Sequence, residues 1–450
     1  MTRARTALAK PKPSRGRFDA YVREDRVHRA IYTDPAIFEE EMTKVFGGTW
    51  VYLGHESEIP APYDFRLGRL GLRPIILTRD RAGAVHALFN RCMHRGATVC
   101  REPRGSARSF TCAYHGWTYD CAGRLTGVAY PKAYGPGFDK AALSLREVPF
   151  VQTYRGFVFG TMNPAAPALP DYLGNARPLL DRWMDRFPGP IVVRSRAHRM
   201  TYRGNWKLAF DNAADAYHAP FSHRSIQEMT TARYGFGRSL SHFAGDPDDG
   251  PMYVQSLGGG HTFLDQRPAM GDSLWAQDRP IPGGDAAVAA LRARHGDAEA
   301  ARLLELAVGE GMNLNVFPNL LIIGNQIQVI EPLAVDRTCL TWYATTIASG
   351  VPDEINTLRM RMQEDFPNFG EPDDQANFEE CQVGLTIPEI EWLDLGRGLR
   401  AGEPTDERGV TTGRVTSEVT LRGYLQEWKR LMNADVELTV AVAGRGTDGP

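Results

Sequence analysis

The chain has 450 residues, a formal net charge of −2 at pH 7 and a hydrophobic fraction of 42%. This length is enough for two or three domains with cores of their own, which excludes a small scaffold held together by disulfides. The near-neutral charge provides no general attraction for nucleic acid or an acidic membrane, so we expect neither as a partner. The sequence has no apolar stretch long enough to span a membrane and no apolar segment typical of a secretory signal, so we expect a cytoplasmic protein.

The first third of the chain predicts a helix followed by a small β domain. Residues 1–17 are basic and predict a disordered arm, whereas the spacing of apolar residues in 35–47 predicts an amphipathic helix. Short β-rich runs with turn-forming residues between them occupy about 50–160 and predict antiparallel strands. The proline-rich and alanine-rich segment 163–174 predicts a linker.

The remainder of the chain predicts helices around a second group of strands. Helical patterns near 174–187 and 205–230 precede an apolar β run at 314–332. Helical patterns return from about 354 and again at 415–433. The segment 243–284 has no regular pattern, and we expect a long loop that forms a lid or a pocket wall.

Two of the six cysteines have a histidine close by in the sequence. Cys92 precedes His94 by two residues, and Cys112 precedes His115 by three. Two loops that each offer one thiolate and one imidazole can bind a structural zinc ion, or a two-iron cluster with cysteines on one iron and histidines on the other. Zinc modules favour paired ligands of one type, whereas each loop here mixes the two types. The spacing therefore favours the iron–sulfur cluster.

A second group of possible metal ligands lies in the run NWKLAFDNAADAYHAPFSH. On a helix, Asp211, Asp215 and His218 would share one side, because they are spaced by four and three residues. His223 would point about 140° away from His218, so the two imidazoles can bind one metal ion only if the helix is distorted or ends between them. Pro220 lies in that interval and disfavours helical geometry at the residue before it, so we expect the break there.

Two imidazoles and one carboxylate on one face of an iron ion leave positions open for O2. This is the usual arrangement in non-heme Fe(II) oxygenases. Asp215, three residues before His218, is better placed to accept a hydrogen bond from that imidazole than to bind the metal. The sequence therefore requires a carboxylate ligand from elsewhere in the chain.

With these residues, the chain resembles the large (α) subunits of Rieske non-heme iron ring-hydroxylating oxygenases. The matching motifs are CMHRG at 92–96, CAYHGWTYD at 112–120, and the family pattern Asp/Glu-x3-Asp-x-Tyr-His-x4-His at 211–223. Trp50, the strand VFPNLLII and the helix EVTLRGYLQEWKRLM extend the resemblance over about residues 30–433.

The resemblance implies an α+β fold. We expect a small antiparallel β domain that holds a Rieske [2Fe-2S] cluster, and a larger catalytic domain whose antiparallel sheet is flanked by helices in a helix-grip (START-like) arrangement. The predicted limits are an N-terminal arm and helix belonging to the catalytic domain at 1–44, the Rieske domain at 45–163, the mononuclear iron catalytic domain at 164–440, and a flexible tail at 441–450.

The resemblance also assigns metal ligands. Cys92, His94, Cys112 and His115 are expected to hold the [2Fe-2S] cluster, and His218 and His223 a mononuclear Fe2+. The segment FGEPDDQANFEECQVGL resembles the family segment that supplies the third ligand. We predict Asp374 as that ligand, with Asp373 as the alternative, although an aspartate after a proline at a helix start is also a common N-cap.

Three further residues are expected to take part in catalysis. By the resemblance, Asp215 carries electrons to the iron from a histidine of the neighbouring subunit's cluster, which implies at least a homotrimer. Asp211, where relatives often have glutamate, either lies near the metal or caps a turn. Tyr217 has either a catalytic or a hydrogen-bonding role.

The expected reaction is hydroxylation of an aromatic ring with O2. The sequence contains no dinucleotide-binding glycine motif between a strand and a helix, so electrons must come from a separate ferredoxin or an NAD(P)H-dependent reductase, or from both. A small β subunit accompanies many relatives. We expect cis-dihydroxylation of an aromatic carboxylate; the alternative is a monooxygenase or demethylase that acts on an alkylamine or an aryl ether.

The substrate pocket is expected to have a mixed lining. Its polar residues favour a substituted or carboxylated ring over a bare hydrocarbon. The predicted pocket residues are Asn212, Ala216, Phe221, His261, Asn319, Ile322 and Gln326.

Overall fold

A computed structural model describes residues 16–193, 198–234, 248, 250–271, 273–277 and 283–444. None of the helices in these ranges combines the length and the apolar character that a membrane crossing requires. The helices are α1 (Ala30–Thr33), α2 (Pro35–Lys44), α3 (Leu169–Leu173), α4 (Arg177–Asp185), α5 (Trp206–Ala214), α6 (Ala219–Ser222), α7 (Arg224–Tyr234), α8 (Leu274–Gln277), α9 (Gly284–His295), α10 (Asp297–Leu304), α11 (Asp353–Gln363), α12 (Asp365–Phe369), α13 (Glu371–Gly384) and α14 (Val419–Asn433).

The strands fall into two groups separated by α3 and α4. The first group is β1 (Arg26–His28), β2 (Val51–His55), β3 (Asp64–Leu70), β4 (Arg73–Arg79), β5 (Val85–Phe89), β6 (Arg104–Ser106), β7 (Ser109–Thr111), β8 (Thr118–Asp120), β9 (Leu125–Gly127), β10 (Arg146–Glu147), β11 (Phe150–Tyr154) and β12 (Phe157–Thr161). The second group is β13 (Ile191–Val193), β14 (His198–Tyr202), β15 (Tyr253–Gly258), β16 (His261–Asp265), β17 (Met312–Val316), β18 (Leu320–Ile323), β19 (Gln326–Ala334), β20 (Arg337–Tyr343), β21 (Thr345–Ile347), β22 (Trp392–Asp394), β23 (Thr411–Arg414) and β24 (Ala441–Val442).

The first group builds small antiparallel sheets, as the turn-rich pattern predicts. A six-stranded sheet has the order β24, β10, β5, β4, β3, β6, and two three-stranded sheets have the orders β7, β8, β9 and β11, β12, β2. Cys92 and Cys112 lie in a hydrophobic core with Phe65, Leu88 and Tyr119, which come from three of these strands. Both cysteines of the Cys-and-His loops are therefore inside the β domain.

The C-terminal end of the chain returns to this β domain. We predicted a flexible tail over 441–450, but β24 pairs with β10 at the edge of the six-stranded sheet. Ala443 is buried, and its N–H donates to the Leu145 carbonyl oxygen at 2.9 Å. The prediction is wrong here because the backbone groups of an unpaired sheet edge readily accept a further strand. Residues 445–450 and 1–15 lie outside the described residues.

An eight-stranded antiparallel sheet forms the centre of the second group, in the order β14, β20, β19, β18, β17, β16, β15, β23. Successive side chains of a strand point to opposite faces. On β18, Leu321 packs in a core with Trp206 of α5 and Tyr424 of α14. The next residue, Ile322, packs in a separate core with Trp183 of α4. Helices therefore cover both faces of the sheet, and the predicted α+β class is confirmed.

Part of the predicted irregular segment 243–284 is a regular hairpin. β15 and β16 pair with each other and place this hairpin between β17 and β23 of the eight-stranded sheet. Gly258, Gly259 and Gly260 form its turn with φ of +82°, +59° and +80°, a conformation that glycine adopts most readily. The prediction of a loop is therefore wrong for the residues of this hairpin. The segment 163–174, which was predicted as a linker, contains α3. The parts of the predicted loop at 243–247, 249, 272 and 278–282 lie outside the described residues.

Helix α2 confirms the amphipathic helix predicted over 35–47. A buried ion pair joins α2 to α5. Glu41 and Lys207 are both 0% exposed, and Lys207 Nζ donates to Glu41 Oε1 at 2.6 Å. The indole N–H groups of Trp206 and Trp428 donate to the same carboxylate at 2.8 and 2.7 Å. These donors replace the water that the Glu41 carboxylate loses on burial. The position of α5 therefore depends on this pair.

Replacement of Lys207 by methionine should destabilise the protein strongly. The substitution leaves the Glu41 charge buried with no cation, and breaking a buried pair in this way costs about 3 to 5 kcal/mol in free energy of unfolding. Urea unfolding followed by circular dichroism measures the change. Arg302→Met, which breaks the exposed Arg302–Glu299 pair, is the control and should cost about 0 to 1 kcal/mol. Equal losses in the two variants would contradict the importance of the buried pair.

Candidate metal centres and substrate cavity

Two loops of the β domain close with the same backbone hydrogen bonds. The Cys92 carbonyl oxygen accepts the Gly96 N–H at 3.0 Å, and the Cys112 carbonyl oxygen accepts the Gly116 N–H at 2.9 Å. Each cysteine N–H also donates to a carbonyl oxygen at the far end of its own loop, in both cases at 2.8 Å. Both glycines have positive φ, which permits the tight return of the chain. The two loops therefore present their cysteine and histidine side chains in equivalent ways.

The predicted cluster ligands meet between these loops. Cys92 and Cys112 are each 2% exposed, and the ring centroids of His94 and His115 lie 4.5 Å apart. His94 Nδ1 is buried without a hydrogen-bond partner among the residues that the structure describes. Two interior thiols beside two half-buried imidazoles fit a two-iron cluster with cysteines on one iron and histidines on the other.

Aromatic residues of the second loop support the first loop. The Trp117 ring stacks on the His94 ring, with centroids 5.1 Å apart and planes 6° from parallel. The Tyr119 hydroxyl lies 3.4 Å from Cys92 Sγ and accepts the Met93 N–H at 3.1 Å. Since hydrogen bonds to cluster sulfurs help to set the reduction potential, Tyr119 is in contact with a group that influences electron transfer.

The second centre lies where α5 ends. Asp215 is extended, with φ of −98° and ψ of 141°, and its Oδ1 accepts the Tyr217 N–H at 2.8 Å. This local hydrogen bond competes with helical backbone bonding and ends the helix. Pro220 instead lies in the first turn of α6, where a proline is tolerated because that N–H has no helical partner. The break predicted at Pro220 is therefore wrong in position, and Asp215 and His218 do not share one helix.

Three side chains converge beyond this break. His218 precedes α6, His223 follows it, and Asp374 lies in the first turn of α13. The Nε2 atoms of His218 and His223 lie 3.7 and 3.4 Å from Asp374 Oδ1. The possible ligand atoms of all three residues lie within 4.8 Å of one another. Asn212 donates its Nδ2–H to the same Asp374 oxygen at 3.1 Å. The three residues form the donor set of a two-histidine, one-carboxylate metal site.

The burial of this group tests whether it fits a metal ion. His223 and Asp374 are each 2% exposed. Burial raises the pKa of Asp374 to about 7 and lowers that of His223 to about 4. A buried carboxylate next to two imidazoles is stabilised when a cation binds all three, because the cation compensates the carboxylate charge that burial disfavours. The residues therefore fit Fe2+.

Each histidine of this group has an aspartate beside its outer ring nitrogen. Asp215 Oδ2 lies 3.4 Å from His218 Nδ1, and Asp373 Oδ2 lies 3.7 Å from His223 Nδ1. Burial opposes protonation of His218, but the Asp215 carboxylate outweighs it, so the pKa of His218 is raised. Asp373 is also more exposed than Asp374, at 30% against 3% for the side chain. This arrangement favours Asp374 as the metal ligand and Asp215 as a residue that orients His218.

Asp211 and Tyr217 make their polar contacts elsewhere. The buried Asp211 carboxylate accepts hydrogen bonds from the hydroxyls of Tyr32, at 3.0 Å, and Tyr424, and burial raises its pKa to about 7. The Tyr217 hydroxyl donates to Glu418 Oε1 at 3.1 Å. These contacts connect α5 and the following loop to α1 and α14. They agree with the hydrogen-bonding alternative for Tyr217, and Asp211 is not in the group of possible metal ligands found among the described residues.

A cavity of about 210 Å3 opens onto the three-residue group. It lies between one face of the eight-stranded sheet and the helices α5, α6 and α13. The apolar part of its wall includes Leu264, Ile323, Leu340, Trp342, Phe366 and Phe378. The uncharged polar part includes Asn212, Asn313 and Gln328. An apolar chamber with a few polar groups next to a metal-binding group is typical of a small-molecule site.

Two of the predicted pocket residues, Asn212 and Ala216, line this cavity. Phe221 does not, because it is 77% exposed on the short helix α6. Ile322 does not, because its side chain lies on the opposite face of the sheet, in the core with α4. The neighbouring residue Ile323 lines the cavity instead.

The other three predicted pocket residues are structural. His261 Nε2 pairs with the Tyr172 carbonyl oxygen at 2.9 Å, and its Nδ1 accepts the Phe317 N–H at 3.1 Å. The Asn319 amide bonds the backbone of β2, and the Gln326 amide donates to a backbone carbonyl oxygen of α11 at 2.6 Å. These three predictions are wrong because the buried side chains satisfy backbone groups rather than face the cavity.

Sequence reasoning missed Asn313, Gln328 and Glu371 as cavity residues. Glu371 is 2% exposed, and its Oε2 accepts the Trp342 Nε1–H at 2.9 Å and the Gln328 Nε2–H at 3.2 Å. Burial raises the pKa of Glu371 to about 8. The alternation of amide and apolar residues along 313–316 and 326–329 was the signal in the sequence, since it marks one polar face of an otherwise buried sheet.

Two family models match the chain. The Rieske [2Fe-2S] domain matches residues 49–154, which contain the two Cys-and-His loops. The ring hydroxylating alpha subunit (catalytic domain) matches residues 192–434, which contain His218, His223 and Asp374.

Individual proteins are similar over most of the chain. The 2-halobenzoate 1,2-dioxygenase large subunit of Burkholderia cepacia is 35% identical over 383 residues, which are 83% of this chain and 80% of that protein. The toluate 1,2-dioxygenase subunit alpha of Pseudomonas putida is 34% identical over 402 residues, 85% of each. The solved structure of naphthalene 1,2-dioxygenase with indole bound in the active site is 26% identical, covers 91% of this chain and 92% of that chain, and has a TM-score of 0.75.

Replacement of Asp374 by alanine should abolish the binding of the mononuclear iron and leave the [2Fe-2S] cluster intact. The reason is that, among the described residues, the carboxylate oxygen that lies within 4 Å of both Nε2 atoms belongs to Asp374. Iron and acid-labile sulfide contents, together with the visible spectrum of the cluster, measure both effects. The matched control Asp373→Ala should lower iron affinity by about 10-fold to 100-fold at most, as loss of a residue behind a ligand does. The reverse pattern would make Asp373 the ligand.

Proposed function

Because the chain belongs to the family of Rieske-type ring-hydroxylating oxygenase α subunits, we propose that it hydroxylates the ring of an aromatic carboxylate, by cis-dihydroxylation. The similar dioxygenases named above act on halobenzoate and toluate, which are both benzoates. A cavity that combines an apolar face with uncharged amides is suited to a ring that carries a polar substituent.

The observation that carries this proposal is the position of the cavity. The same chamber is lined by His218, His223 and Asp374 on one side and, on the other, by a sheet face that is mostly apolar and carries a few amide side chains. When bound, the iron ion supplies the activation of O2. His218, His223 and Asp374 would hold it, and Asp215 would keep the His218 ring in its orientation. Leu264, Phe366 and the other apolar residues exclude water and hold the flat ring beside the metal site.

The reaction needs electrons from outside this chain. Addition of both oxygen atoms to the ring consumes two electrons and two protons beyond those of the substrate. We propose that a ferredoxin, an NAD(P)H-dependent reductase or both supply the electrons to the cluster at Cys92, His94, Cys112 and His115. A cytoplasmic location is consistent with the six cysteines, since none of them forms a disulfide bond.

We further propose that the chain works as a homotrimer, with or without a small β subunit. Electrons would leave the cluster through His94 or His115 of one subunit and enter the next subunit at Asp215, which lies beside His218. In support of this path, the half-buried His115 ring lies next to Tyr114, which is 59% exposed. Exposed aromatic side chains are typical of surfaces that contact another protein.

Product analysis in a single turnover tests the proposed reaction. The purified protein is reduced chemically without oxygen, mixed with benzoate, toluate, toluene or biphenyl, and then exposed to O2. We expect a cis-diol from the benzoates and a preference for benzoate over toluene of at least about 10-fold, because a site that pairs with a polar substituent discriminates strongly against its loss. Demethylation of an aryl ether or alkylamine without any diol would instead establish the alternative reaction.

Complementation between two inactive variants tests whether electrons pass from one subunit to the next. Asp215→Asn, which keeps a side-chain oxygen for the Tyr217 N–H and removes the carboxylate, should abolish turnover although both metal centres are retained. Cys112→Ser should abolish turnover through loss of the cluster. Co-expression of the two variants should restore roughly a quarter of the wild-type rate, since one neighbouring pair in four then combines an intact cluster with an intact Asp215. Mixing the separately purified variants without exchange of subunits is the control. No recovery in co-expressed trimers would place electron transfer within one chain.

A further inference from the structure

One polar side chain on the cavity wall has no partner within the protein. Asn313 lines the cavity from β17, and its side-chain amide makes no hydrogen bond to any residue in the described part of the chain. Its neighbours across the sheet are Leu264 on β16 and Ile323 on β18, and both are apolar and line the same cavity. Asn313 is thus an isolated amide in an apolar wall.

The alternation of side chains along β17 fixes the direction of Asn313. Met312, Leu314 and Val316 pack in the core on the far face of the sheet. Asn315, on the same face as Asn313, donates its Nδ2–H to the Ala213 carbonyl oxygen of α5 at 2.9 Å. The Asn313 side chain therefore points toward α5 and the metal-binding group rather than into the core.

The other amide and indole side chains of the cavity lining each have a polar partner within the protein. Asn212 donates to Asp374 at 3.1 Å, while Gln328 and Trp342 both donate to Glu371, at 3.2 and 2.9 Å. Among the described residues, the cavity lining contains no lysine and no arginine. Away from the metal-binding group, a negatively charged substituent in this chamber would therefore be met by an uncharged donor, and the N–H groups of Asn313 are available for it.

We propose that Asn313 is the residue that selects an aromatic carboxylate, by donating its Nδ2–H to a carboxylate oxygen of the substrate. An apolar ring without such a substituent would cover the amide and leave it without water or a partner, which is unfavourable. A carboxylate held at Asn313 fixes the rotation of the ring and so determines which ring carbons face the metal site. This inference rests on the proposed function, because it names the contact that makes the site specific for benzoates.

The experiment compares Asn313→Leu with the wild type. Leucine keeps the size of the side chain and makes the wall continuously apolar, but it removes the hydrogen bond. We measure kcat and KM for benzoate and toluene, and the binding of benzoate to the oxidised enzyme by calorimetry. A hydrogen bond to a charged group corresponds to roughly 10-fold to 100-fold in affinity. We therefore expect KM and Kd for benzoate to rise by that factor with little change in kcat, and turnover of toluene to be kept or improved.

Two further variants separate specificity from a structural role. Asn313→Asp keeps the shape but adds a negative charge, so it should weaken benzoate binding more than the leucine variant does. Ile323→Val changes the adjacent wall without changing its hydrogen bonds, so it should alter benzoate and toluene turnover by similar factors. Iron content and the cluster spectrum of every variant should equal those of the wild type.

The outcomes distinguish this inference from the proposed function. Equal losses for benzoate and toluene in Asn313→Leu, or an unchanged benzoate KM, would overturn the role of Asn313 while the proposed reaction stands. Binding of benzoate that depends on Asn313 but leads to no hydroxylation would support Asn313 and overturn the proposed reaction. Absence of benzoate binding and turnover in the wild type would overturn both.

Discussion

The metal-binding group depends on the end of α5 at Asp215. In a continuous helix, His218 and His223 would point about 140° apart and could not face one ion. The Asp215 side chain bonds the Tyr217 N–H, and this ends the helix before either histidine. His218 and His223 flank the short helix α6, and both imidazoles face Asp374 in the first turn of α13. One aspartate therefore has two effects: its Oδ1 shapes the backbone and its Oδ2 lies beside the His218 ring.

Motifs whose residues are close in sequence were predictable, because their geometry is local. The two Cys-and-His loops close on themselves through backbone hydrogen bonds within each loop, so spacing alone determined their arrangement. The wall of the cavity was not predictable in the same way, since it depends on strand register. Ile322 and Ile323 differ by one position, yet only Ile323 faces the cavity, because adjacent residues of a strand point to opposite faces. Asn313 is the cross-strand partner of Ile323, so its side chain lies on the same face of the sheet.

Contacts distant in sequence account for the other differences. His261 and Asn319 are polar residues in the regions expected to form the pocket, but they bond backbone groups of α3, the loop after β17, and β2. Nothing local in the sequence reveals such partners. The same holds for β24, whose pairing with β10 joins residues nearly three hundred positions apart. Sequence patterns predicted most of the helices and strands, whereas the partners of His261 and Asn319 and the strand β24 are determined by packing between distant parts of the chain.

Charge in the cavity explains why an uncharged donor suffices for an anionic substrate. Burial raises the pKa of Glu371 to about 8, which favours the uncharged form of this carboxyl group and so reduces its repulsion of a carboxylate. Fe2+ with a single carboxylate ligand, Asp374, retains net positive charge beside the same chamber. An additional arginine would be poorly compensated in so apolar a wall, because a buried cation without a partner is costly. The Asn313 amide can orient the substrate carboxylate through a hydrogen bond without the cost of burying a cation.

The metal ligands come from helix ends, whereas one wall of the cavity is a sheet, and on that wall specificity is separated from the metal chemistry. His218, His223 and Asp374 are fixed by a helix end, a short helix and a helix start, so a change there disturbs the metal site itself. Leu264, Asn313 and Ile323 stand on neighbouring strands of one sheet, whose backbone hydrogen bonds do not depend on the side chains. Substitution at these positions can alter the shape and polarity of the wall while the sheet and the iron site stay in place. Differences in substrate between members of this family are therefore expected to arise on the strands rather than at the metal.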